Sequence, residues 1–92
     1  MVEDLKTVLK TLFGFESDRE WKDEEGVVEN FPVRRLIEVG RENGMMFRGL
    51  IYCYRISDGK RSVDVRVVEM SNRKLSLEFE YDGRKFKFIE RV

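Results

Sequence analysis

From Met45 onward the chain alternates apolar and polar residues, with breaks at Ser57-Asp58-Gly59-Lys60, Met70-Ser71-Asn72-Arg73 and Asp82-Gly83. A period of two puts successive side chains on opposite faces of a strand, so this region predicts an antiparallel meander of four strands. Val63, Val65 and Val67 alternate with Asp64 and Arg66, Leu75, Leu77, Phe79 and Tyr81 with Ser76, Glu78 and Glu80, and Phe86 and Phe88 with Lys87. Each of these reads as a strand with one buried and one wet face. Asp58-Gly59 and Asp82-Gly83 are the dipeptides that two-residue hairpin turns favour, because both central residues need positive φ.

The first strand of the meander, Met45 to Ile56, has a different pattern. It is apolar on both sides, with Phe47, Ile51 and Cys53 on one and Met46, Leu50, Tyr52, Tyr54 and Ile56 on the other. A strand with one solvated face would not look like this.

Upstream the period changes. Leu5, Val8, Leu9, Leu12 and Phe13 recur at helical spacing with Lys6, Lys10 and Thr11 between them, which predicts an amphipathic helix over Val2–Phe13. Glu3 and Asp4 suit its first turn, and Gly14 followed by Phe15 suits its end. Ser17-Asp18-Arg19-Glu20 has the form of a capping box, which would start a short helix ending near Gly26.

Residues Val27–Asn43 fit both periods. Val33, Leu36, Ile37 and Gly40 make a helical face, and Pro32 and Gly44 would suit its two ends. The richness in Val and Ile tips the reading towards a strand paired with Met45–Ile56, which would make a fifth strand. The expected fold is therefore α+β, an N-terminal amphipathic helix packed on a four- or five-stranded antiparallel β-meander, in a single domain spanning 1–92.

Composition and charge refine this picture. The chain is 41% hydrophobic and 39% charged, enough apolar material for a core inside a densely charged exterior. The longest apolar run, Gly49 to Tyr54, is far shorter than the ~20 residues that span a bilayer, so a cytoplasmic, non-membrane protein is expected. Alanine, glutamine and histidine are absent while Lys, Arg, Glu and Val are abundant, a thermophile-like balance. Formal net charge is zero, yet residues 1–32 carry 4 basic and 9 acidic side chains (net −5) and residues 33–92 carry 14 and 9 (net +5).

Lack of histidine removes nucleophilic catalysis by a His-activated Ser or Cys, along with histidine-based metal sites. Cys53 is the sole thiol, so neither an internal disulfide nor a cysteine-rich zinc site can form, and its apolar setting predicts a buried side chain. Asp58 with Lys60, and Glu78 with Glu80, are the candidates for carboxylate and metal chemistry, but turn and solvated-strand roles already account for them. Phosphate-binding glycine motifs are absent. No catalytic, cofactor or metal site is expected, and the chain is read as a non-enzyme.

Two kinds of contact remain. The first is a binding or assembly module, a homodimer acting through protein–protein contact, with Trp21, Met46, Leu50, Tyr52, Tyr54 and Ile56 as the candidate interface. Trp21 qualifies because it stands alone among charged residues, and the others because one helix covers one sheet face only. The alternative is nucleic-acid binding through Arg48, Arg55, Arg84, Lys85 and Lys87 around Tyr52 and Tyr54. Zero net charge weighs against strong affinity for phosphates.

Overall fold

A computed structural model describes residues 5–18, 21, 27–48, 53–57, 62–70 and 74–90. Its elements run α1 (Leu5–Phe13), β1 (Val27–Glu29), α2 (Val33–Glu42), β2 (Met46–Arg48), β3 (Tyr54–Ser57), β4 (Ser62–Met70), β5 (Lys74–Tyr81) and β6 (Arg84–Glu90). The strands form one sheet in the order β1-β6-β5-β4-β3-β2. The fold is α+β, and β2 to β6 make the antiparallel meander. Beyond it lies β1, parallel to β6, with Val28 opposite Phe88.

The amphipathic stripe of α1 behaves as its spacing predicts, with Leu5, Val8, Leu9, Leu12 and Phe13 all buried. Gly14 follows at φ +66°, and its N–H donates to the Lys10 carbonyl at 3.0 Å, closing the helix in a left-handed C-cap. At the other hairpin signal, Asp82 and Gly83 take φ of 52° and 76° between the paired residues Tyr81 and Arg84. This is the two-residue turn the dipeptide favours.

Two expectations are corrected. Most of Val27–Asn43 is helix rather than strand: only Val27–Glu29 is extended, and Val33–Glu42 forms α2. Proline at position 32 fits the helix start, where no N–H is needed, and Val33, Leu36 and Gly40 are buried along one side. That helical period outweighed the β-propensity of valine. The segment Met45–Ile56 is not one strand but two, β2 and β3, paired with Phe47 opposite Ile56 and Arg48 opposite Arg55. Its double-sided apolar pattern arises because the chain reverses within it.

Ser57 pairs with Ser62, and the turn expected at Asp58-Gly59 between them lies outside the described residues. The helix suggested by Ser17-Asp18-Arg19-Glu20, the expected start of α1 at Val2 with Glu3 and Asp4, and the interface candidates Leu50 and Tyr52 lie outside the described residues.

Both helices lie on the same sheet face. Register puts Phe47, Tyr54, Ile56, Val63, Val65, Val67, Leu75, Leu77, Phe79, Tyr81, Phe86, Phe88 and Val28 there. Phe13, Phe31 and Phe88 are wholly buried. Rings connect the layers: Phe31 stacks on Phe88 at 4.5 Å, Phe79 on Phe86 at 5.2 Å, and Phe13 lies 5.7 Å from Phe79. Burial of such a side chain stabilises by roughly 1.5–3 kcal/mol, with further gain from ring pairing.

Candidate functional site

Among the described residues the second sheet face carries no helix, and strand register dictates what it presents. One cross-strand row runs Arg66, Glu78, Lys87, Val27 from β4 to β1. A neighbouring row holds Arg48 opposite Arg55, Arg55 opposite Asp64, and Glu80 opposite Lys85. Together Val27, Arg66, Glu78, Glu80, Lys85 and Lys87, with Phe79 and Phe86, line an open groove of about 410 Å³.

Charges on this face partly satisfy each other. Arg55 Nε donates to Asp64 Oδ1 at 3.0 Å, and that hydrogen bond with the carboxylate's charge raises the guanidinium pKa above its ordinary value. Lys87 Nζ lies 3.7 Å from Glu78 Oε1. Arg66 faces Glu78 across the β4–β5 pair, but the carboxylate's ion pair is with Lys87. The face is not uniformly wet: in the next row Val68 is half-buried, while Ser76 and Ile89 are 2% and 9% exposed.

The five cations proposed as nucleic-acid contacts divide unevenly. Arg55, Lys85 and Lys87 share the helix-free face, while Arg48 is placed only by its backbone pairing with Arg55. Arg84 belongs to the opposite face, paired with Tyr81, with its guanidinium 5.1 Å from the Phe86 ring centroid. Tyr54 is also on the helix-covered face, edge-on to Phe47 at 5.9 Å, so it does not join Arg55. Arg66 was missed by the sequence reading, although its alternation with Val65 and Val67 is the signal that assigns it. Among the described strand residues every aromatic ring falls on the covered face.

The interface candidates are scattered as well. Ile56 is buried in the core and Tyr54 half-buried against it. Met46 stands on the helix-free face at the sheet edge, 52% exposed, and not beside Tyr54 and Ile56 as a continuous strand would have put it. Trp21 is half-buried, 4.7 Å from Phe31 and 5.8 Å from Phe15, so it plugs one end of the core while its remaining surface, with Phe15, Lys6, Lys10, Glu16 and Asp18, lines a second groove of about 480 Å³. Cys53 is exposed, contrary to expectation, because it precedes β3 instead of lying inside a long strand.

Among the described residues no group of three or more His, Cys, Asp or Glu is placed to hold a metal ion, and no helix is long and apolar enough to cross a membrane. No family model, curated protein or solved structure matches the chain.

Proposed function

We propose that this protein is a non-catalytic binding or assembly module that acts through protein–protein contact, as a homodimer in the cytoplasm. The apolar second face first invoked for self-association is absent among the described residues, so the reading now rests on the pattern of charge. Its main support is the row Arg66, Glu78, Lys87 beside Glu80 and Lys85, in which sign alternates from strand to strand. A phosphate polymer laid on such a face meets a carboxylate between its cations, whereas a protein surface can match both signs. A second copy offers the same mixed pattern in reverse order about a two-fold axis. Exposed Met46 and Val27 supply apolar contact at opposite edges. No aromatic ring of the described strands lies on the helix-free face with Arg55, Arg66, Lys85 and Lys87, which weighs against the nucleic-acid alternative.

Light scattering at high micromolar concentration tests this reading. A dimer is expected, and Arg66→Glu combined with Lys87→Glu should shift it towards monomer by setting like charges against each other. A monomer at all concentrations, or binding of single-stranded DNA or RNA at low salt that weakens steeply as salt rises, would overturn it.

A further inference from the structure

We infer that Asn43 is a latch holding the C-terminal end of α1 shut, and that α1 is a flap whose local opening this side chain controls. Asn43 is the C-cap residue of α2. Its Nδ2 donates to the Val39 carbonyl of its own helix at 2.8 Å and reaches the Phe13 carbonyl of α1 at 3.4 Å. One amide thus touches the ends of both helices, joining the Val39 carbonyl, which also accepts the Asn43 backbone N–H at 3.0 Å, to the Phe13 carbonyl of α1.

Gly14 provides a second, independent sign of the same contact. A Cβ built there would stand 2.5 Å from Asn43 Cγ and 2.6 Å from Nδ2, so the amide is pressed against the glycine backbone. Below this junction Leu12 and Phe13 of α1 meet Met45, Ile56, Val63 and Val65 around a small apolar gap. All of these side chains but the half-buried Val63 are almost wholly buried, so opening this end breaks apolar contacts together with the polar latch. Release would expose this apolar floor while the meander stays paired.

Native-state hydrogen exchange tests the latch, with amides of Leu9–Phe13 read against those of Val65, Leu77 and Phe88. Asn43→Ala should speed exchange in α1 by roughly five- to tenfold, the effect of losing about one hydrogen bond, and leave the sheet amides unchanged. Asn43→Asp keeps the shape without the donor and should act alike, which serves if the alanine variant does not fold.

Gly14→Ala and Gly44→Ala form the control pair. Both positions have left-handed φ, +66° and +80°, so backbone strain is shared, but nothing lies within 4 Å of a Cβ at Gly44. Gly14→Ala should open α1 more than Gly44→Ala. Equal effects of the two alanines on α1, acceleration of α1 and sheet amides together, or no change on removing the Asn43 donor would each overturn the proposal.

Discussion

The two faces of the sheet are made by the same strands yet follow different rules. On the helix-covered face Phe86 and Phe88 pack against Phe79 within a continuous apolar layer. On the other, Lys85 and Lys87 meet Glu80 and Glu78 across the ladder. Burial of rings stabilises in proportion to area removed from water, whereas exposed charges exchange hydration for weak, screened attraction. The covered face therefore carries stability, and the open face is free to carry recognition.

Three consecutive residues of β6 sharpen this contrast. Phe88→Ala should destabilise by about 3–5 kcal/mol in urea unfolding, because its ring is wholly buried and the space cannot collapse between two layers. Ile89→Ala, on the opposite face but 9% exposed, should lose about 2 kcal/mol, the low end for deleting a buried isoleucine side chain. A loss as large as that of Phe88 would mean that the two faces carry comparable cores. For Lys87, a double-mutant cycle with Glu78 should give a coupling of about 0.2–1 kcal/mol that fades in high salt, since the pair is 3.7 Å apart at the surface. A salt-insensitive coupling of several kcal/mol would break the comparison.

Much of the covered layer was legible in the sequence. The stripe of α1, the alternation in β4 to β6 and the Asp82-Gly83 turn each depend on local spacing or local φ, and these survive folding unchanged. What was not legible depended on partners distant in sequence. Valine content favoured a strand at 33–42, but the positions of Val33, Leu36 and Gly40 let a helix bury one side beside α1 and the sheet. Phe47 and Tyr54 looked like members of opposite faces of one strand; a reversal between them brings both to the same side. The open face was legible in part. Alternation assigns Arg55, Lys85 and Lys87 to it, whereas Arg84 is turned away because the tight turn fixes it opposite Tyr81.

The parallel strand β1 has a consequence for the order of folding. Antiparallel neighbours β4, β5 and β6 join through short connections and can pair as soon as each is made. By contrast β1 finds its only described sheet partner in β6, with Val27 opposite Lys87 and all the other strands between them in sequence. Closing so long a loop is entropically slow, so β1 should wait unpaired while the meander forms. In refolding experiments Val28→Ala should chiefly speed unfolding, while Leu77→Ala in the central hairpin should slow folding. A strand made before β2 to β5 thus joins the sheet after them, and until β6 is made β1 has no described strand to pair with.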